Sequence, residues 1–317
     1  DFLSGGIQTD GSSVVLPHIA TLNDGKVDFE ADLNVNWYVD YNWEHIDPET
    51  QLPVGTLRIP SFLIHSGERI DSRSVLLRAM DRVQRLLPEL LRAFPEVAQA
   101  HGIHPDQIVE VILTAATELE FWVKTPNEKA EIEQLTASQV LQEQYWKRTK
   151  GVVRTALEHS LMLLEQYGLE PEMGHKEVGG IKAQIGDGGG LTHIMEQLEI
   201  DWRFSSALQA ADNELLARII IKETFRRHGL EVTFMAKPME GVAGNGEHTH
   251  VGISLRLKDG SIRNIFAPLD ANREFLSPIG WGALLGMLKN YETISAFISA
   301  SNDAFNRLQP GFEAPVC

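Results

Sequence analysis

Several short stretches of the 317-residue chain hold side chains that could do chemistry together. In Thr117-Glu118-Leu119-Glu120-Phe121, the two-residue period of a strand puts Glu118 and Glu120 on one face, with Leu113, Leu119, Phe121 and Val123 on the other. Neighbouring carboxylates repel. The pair is tolerable on a solvated face, and useful where a divalent cation or a cationic partner sits between them. His248 and His250 in Gly246-Glu247-His248-Thr249-His250-Val251-Gly252 share a strand face in the same way. Imidazole suits transition-type cations and carboxylate oxygens suit Mg²⁺ and Mn²⁺, so one histidine among several glutamates makes a mostly hard site. His175, Lys176 and Glu177 lie between glycines, and Gly186-Asp187-Gly188-Gly189-Gly190 follows closely. Glycine lets backbone approach a phosphate, yet this is neither a Walker loop nor a dinucleotide fingerprint. Finally, Arg307 and Glu313 sit on a segment shaped by Pro310 and Gly311, where an arginine can clamp a carboxylate through two N–H groups. Taken singly, each has an ordinary reading: an acidic strand face, hydrogen-bonded histidines, a surface loop.

Elements must bring these residues together. Leu76, Leu77, Met80, Val83, Leu86, Leu87, Leu90 and Leu91 predict an amphipathic helix over 74–94, kinked or broken at Pro88. Leu208, Ala211, Leu215, Ile219 and Phe225 predict a second over 205–228, stopped by Gly229, and a third follows near 282–297. Strand-like content falls at 109–123, 230–236 and 248–257, and Asp259-Gly260 signals a hairpin turn before a strand at 262–266. There is no internal repeat or linker-like run, and no Rossmann rhythm, so the expected fold class is α+β in essentially one domain.

Composition narrows the function. A 43% hydrophobic chain of this length buries a large core. With 28 Lys+Arg against 44 Asp+Glu, the net charge of -16 argues against a nucleic-acid partner. No apolar run is long enough for a membrane span. The single Cys317 fits a reducing compartment, so a cytoplasmic location is expected. The start at Asp1 reads as a cut end.

In identity and order, the motifs resemble the signature set of the glutamine synthetase family. They are Asp10-Gly11-Ser12-Ser13; Glu118-x-Glu120; His175-x-Glu177-Val178; Lys237-Pro238 with Gly244-x-Gly246-x-His248-x-His250; and Asn306-Arg307-Leu308-x-Pro310-Gly311-x-Glu313-Ala314-Pro315-Val316. The resemblance implies a curved, mainly antiparallel sheet lining the active site, with helices packed outside. It implies residues 1–15 as the end of a β-grasp-like domain, and 16–317 as a catalytic domain cut before its last motifs. It also implies ATP-dependent ligation of L-glutamate to ammonium through γ-glutamyl phosphate, with Mg²⁺ or Mn²⁺ at two sites, in a ring-shaped homo-oligomer.

The same resemblance assigns Glu118, Glu120, Glu177 and His248 to the metals, and His175, Lys237 and His250 to the nucleotide. Gly244, Gly246 and Arg307 go to the substrate, and Asp10, Arg307 and Glu313 to catalysis. Where relatives carry a second metal-binding glutamate after His-x-Glu-Val, the best match here is Gln184, with Lys182 nearby, which implies a weak glutamate-side metal. Gly252 and Ala243 stand where many relatives carry Ser and Asn. Two other readings are a γ-glutamyl-amine ligase taking a larger amine and a related binding or regulatory protein without turnover. Independently of the resemblance, a carboxylate/His metal hydrolase also fits.

Overall fold

A computed structural model of the chain describes residues 7–10, 26–130, 148–299 and 301–310. Glu313 therefore lies outside the described residues, and of Asp10 only the backbone is described. In chain order the strands are β1 (Ile7–Asp10), β2 (Lys26–Ala31), β3 (Tyr38–Ile46), β4 (Pro53–Arg58), β5 (Ser61–His65), β6 (Glu68–Arg69), β7 (Ile108–Pro126), β8 (Pro171–Ile185), β9 (Leu191–Trp202), β10 (Ser205–Ser206), β11 (Glu231–Thr233), β12 (Glu247–Leu257) and β13 (Ile262–Asn264). The helices are α1 (Ser72–Ala93), α2 (Pro95–Ala100), α3 (Gly151–Gln166), α4 (Ala207–Arg227), α5 (Pro278–Lys289), α6 (Tyr291–Ile298) and α7 (Asn302–Arg307).

The 19-residue β7 is the spine. Along one edge it pairs with β12 and then β11, along the other with β9 and β10; β8 lies outside β9 and β13 outside β12. Every pairing is antiparallel, and the sheet curls into a half-barrel. One side of it carries the core. Leu119, Phe121 and Val123 from β7, with Leu198 and Ile200 from β9, pack against Leu157 and Leu164 of α3 and against Ile221 and Phe225 of α4. The opposite parity of β7 carries the two acids, so one alternation supplies both core and site. A second core joins Leu87 and Leu91 of α1 to Val111, Leu255 and Ile265. A four-stranded sheet (β1-β2-β5-β6) and the β3–β4 hairpin complete the architecture, which is α+β as the sequence predicts.

Three expectations need correction. Pro88 neither breaks nor ends α1, which runs through it, capped at its start by Asp71 accepting from the Ser74 N–H at 2.8 Å. An interior proline costs about 3 kcal/mol. Burial of Leu87 and Leu91 returns roughly 1.5–3 kcal/mol each, enough to hold the turn together. The helix expected near 282–297 is two, divided at Asn290, and the strand expected over 230–236 is only the three residues of β11.

Candidate active site

Register builds the site. Glu118 on β7 pairs with His248 on β12 and with Asp201 on β9. Two residues on, Glu120 pairs with Glu199 of β9, which pairs with His175 of β8. Side chains in register on adjacent strands share a face, so two rows of donors stand side by side across four strands. Glu177, two residues beyond His175 on the same strand, joins the second row.

The contacts follow. Glu118 meets His250 Nε2 through Oε1 at 2.8 Å and His248 Nδ1 through Oε2 at 3.2 Å. Glu120 accepts the Gly246 N–H through Oε2 at 2.7 Å and leaves Oε1 at 3.9 Å from His248 Nδ1. His175 places Nε2 3.2 Å from Glu199 Oε1 and Nδ1 3.8 Å from Glu177 Oε2, while donating from Nδ1 to the Lys176 carbonyl at 2.8 Å. Glu118, Glu199 and His248 each offer a ligand atom, all within 4.8 Å of one another; so do His175, Glu177 and Glu199. Glu199 belongs to both sets.

Electrostatics mark the same place. Burial pushes the Glu120 and Glu177 carboxyls up; Glu177 adds to the rise of Glu120, and Glu199 to that of Glu177. The hydrogen bond to Glu199 lifts His175 to about 9. Crowded, half-buried to buried acids that outnumber the cationic groups beside them, His175 and Arg307, are surroundings that favour a divalent cation. An oxygen-rich set with one or two imidazoles fits Mg²⁺ or Mn²⁺.

A scaffold of buried amides holds these groups. Gln197 accepts the Gly179 N–H at 2.7 Å and donates to the Gly244 carbonyl at 2.8 Å. Trp122 donates to the Ala243 carbonyl at 3.0 Å, and Asn245 ties the loop to the Thr233 and Met235 carbonyls. Two glycines are required by close approach: a Cβ on Gly244 would lie 2.0 Å from the Ala236 carbonyl oxygen, and one on Gly246 would lie 2.6 Å from His248 Nε2. Lys237 donates through Nζ to the Val242 carbonyl at 2.6 Å and so braces this loop. Arg307, at the end of α7, approaches Gly246 and joins Glu120, His248, Tyr291 and Phe297 around a cavity of 730 Å³.

Most of the sequence candidates therefore converge: Glu118, Glu120, Glu177, His175, His248 and His250, with Gly244, Gly246, Lys237 and Arg307 beside them. Gln184 and Lys182 do not. They lie further along β8, past an irregularity between Lys176 and Ile181, and Gln184 faces Met239 at 3.5 Å from its sulfur. The acid that lies beside Glu177 is Glu199, and Gln184 is not among the grouped donors. Glu199 was legible in one respect: Glu199 and Asp201 repeat the alternation of Glu118 and Glu120.

The fold is an antiparallel half-barrel that presents rows of carboxylate and imidazole, able to hold divalent cations, beside a glycine-shaped loop. A model of "Glutamine synthetase, catalytic domain" matches residues 90–317, and the chain belongs to the glutamine synthetase family. The curated glutamine synthetase of Pyrococcus horikoshii is 30% identical over 313 residues, covering 98% of this chain and 56% of the relative. That of Sulfolobus acidocaldarius is 35% identical over 156 residues, 49% of this chain and 29% of the relative. Among solved structures, Plasmodium falciparum glutamine synthetase matches with TM-score 0.63 and 19% identity, covering 98% of this chain and 56% of that one. Apo GmaS without ligand matches with TM-score 0.61 and 18% identity, covering 98% and 60%. These two share the fold. The chain spans about half the length of the curated relatives it matches over most of its own.

Proposed function

We propose that this chain carries the metal-binding part of a ligase that uses ATP to join L-glutamate to ammonia through γ-glutamyl phosphate. The observation that supports it most is Glu199, which belongs to two ligand sets at once and so describes adjacent cation positions on one strand-lined face. Glu118, His248 and Glu199 would hold one Mg²⁺ or Mn²⁺, and His175, Glu177 and Glu199 the other, with Glu120 beside both. When bound, such ions neutralise charge on phosphate oxygens during in-line transfer.

The remaining work falls to the chain's own side chains. Arg307 would hold a substrate carboxylate, a role supported by its position on the cavity that Glu120 and His248 line. The Gly246 N–H fixes Glu120, so its free oxygen stays aimed at the site rather than at solvent. Ammonium must lose a proton before it attacks; Asp10 and Glu313 are assigned that role by their motifs. Such work suits a cytoplasmic ring of identical subunits, each lending its Asp10 segment to a neighbour.

Phosphate release from ATP by the polypeptide, dependent on both glutamate and ammonium and abolished by chelation, is the expected result. Nucleotide binding without turnover would sink the reading in favour of a binding protein, and metal-dependent hydrolysis without ATP in favour of a hydrolase. A second nucleophile class is favoured by one feature: the cavity wall includes Met235, Tyr291, Phe297 and Leu308, apolar surface that ammonium does not need. A panel of primary amines assayed against ammonium separates the two.

A further inference from the structure

A second cavity, of 280 Å³, lies between the start of the β3 strand, the end of α3 and the outer face of α4. It shares no lining residue with the 730 Å³ substrate cavity. Its walls are chemically uneven. Trp37, Tyr38, Tyr41 and Tyr167 supply aromatic surface, and Asp212 supplies the one charged side chain. Asp212 belongs to a partly buried triad: Arg73 binds Asp32 Oδ2 at 2.7 Å through one guanidinium nitrogen and Asp212 Oδ1 at 2.5 Å through another. Two carboxylates thus face one guanidinium, and the group is one positive charge short. Asp32 uses its other oxygen to accept the Asn34 N–H at 2.9 Å. Asp212 Oδ2 is buried, and among the described residues nothing donates to it. Buried carboxylate oxygens are almost always paired, so Asp212 is short of a donor, and the side chain keeps 12% of its surface exposed where it lines the cavity.

The phenols do not supply that charge or that donor. Burial pushes Tyr167 up to about 12 and raises Tyr38, so both rings are neutral, and the Tyr167 hydroxyl already donates to the Val39 carbonyl at 2.5 Å. Neutral aromatic faces attract cations, more strongly where water is excluded. Burial also holds Asp212 above the usual carboxylate range against the pull of Arg73, as expected of an acid short of positive charge.

We propose that this cavity is a binding site for a compact organic ammonium ion, whose N–H groups pair with Asp212 while its carbon frame lies against the Trp37 and tyrosine rings. The volume is at the small end for ligand sites, which limits the occupant to a single ring or a short chain. Gln209, Asp212, Asn213 and Leu216 of α4 line this site, and Arg218 of the same helix lines the substrate cavity. One rigid helix therefore touches both.

The test is calorimetric titration of the whole chain with benzylammonium, benzyl alcohol and benzoate. Benzylammonium should bind, and the neutral and anionic analogues should not. Asp212→Asn should weaken binding at least about tenfold, the scale of losing a desolvated charge pair. Glu118→Gln, which alters only the candidate active site, should leave this binding unchanged and so separates it from an amine held as substrate. Should Asp212→Asn fail to fold, Tyr41→Ala removes a partly exposed ring at the cavity rim and should weaken binding severalfold. Equal binding of benzyl alcohol, no binding of benzylammonium, or binding lost in Glu118→Gln but kept in Asp212→Asn would each overturn the assignment.

Discussion

Glu199 is the residue on which both candidate cation sets depend, and that makes a sharp expectation. Glu199→Gln should weaken both Mn²⁺ sites together, each by at least about tenfold, with the fold intact, because the change removes a ligand and a like-charge repulsion from the same crowd. Manganese titration followed by electron paramagnetic resonance checks it. A loss confined to one site would place Glu199 in one set only. Glycine at 244 is a different kind of requirement. Alanine there would put a methyl carbon 2.0 Å from the Ala236 oxygen, so the backbone must move, and with it the loop that delivers the Gly246 N–H to Glu120. Gly244→Ala should destabilise the chain by about 1–3 kcal/mol, the usual cost of forced overpacking, and weaken metal binding as well. Urea unfolding and the same manganese titration report the two effects separately.

At the scale of elements, the seam between α3 and α4 carries a pH dependence. His159 Nδ1 and His228 Nε2 are 3.3 Å apart, and both imidazoles titrate below their usual range, chiefly through burial and then through Arg227. A histidine whose folded pKa is depressed resists protonation only while folded. The unfolded chain then takes up more protons, so stability is fully present above about pH 6.5, the unfolded value, and falls as pH drops through that value. Urea midpoints should decline between pH 7.5 and 5.5, and His228→Gln should flatten the decline; an unchanged slope would remove the pair as its source.

How far these elements were legible differs for physical reasons. α1 and α4 announce themselves by periodic apolar residues and a stop signal such as Gly229, whose φ is +73°. α3 has a comparable stripe, Val153, Ala156, Leu157 and Leu164, but Lys150 makes no side-chain cap and no acid marks the first turn, so its start carries no signal. β8 and β9 are harder still. In β8, buried Lys176 and Glu177 sit among glycines with no apolar alternation to read, whereas β9 alternates from Gln197 to Trp202 but buries Glu196, Gln197 and Glu199 as well. The acids of Glu118-x-Glu120 and of Glu199-x-Asp201 are each readable as an alternation, but not as partners. A site built across strands is defined by register, which a single strand's composition does not reveal.

For the whole molecule, the question is what keeps a sheet with so many acids on one face from coming apart, and the answer lies on its other face. Lys176 stands between His175 and Glu177, so alternation turns it away from the site, where its Nζ meets Glu196 Oε1 at 2.6 Å with both side chains almost wholly buried. Burial pushes the Glu196 carboxyl up, and Lys176 opposes that rise. Removing one partner strands a buried charge; removing both strands none. Lys176→Met should therefore cost about 3–5 kcal/mol, and adding Glu196→Leu should recover much of it. In the double variant manganese binding should survive, since neither side chain belongs to the ligand sets. If the double variant were no more stable than Lys176→Met, the pair would be ruled out as the tie between β8 and β9. Recovery of stability with loss of both metal sites would instead mean that the buried charges fix the register that aligns His175 with Glu199.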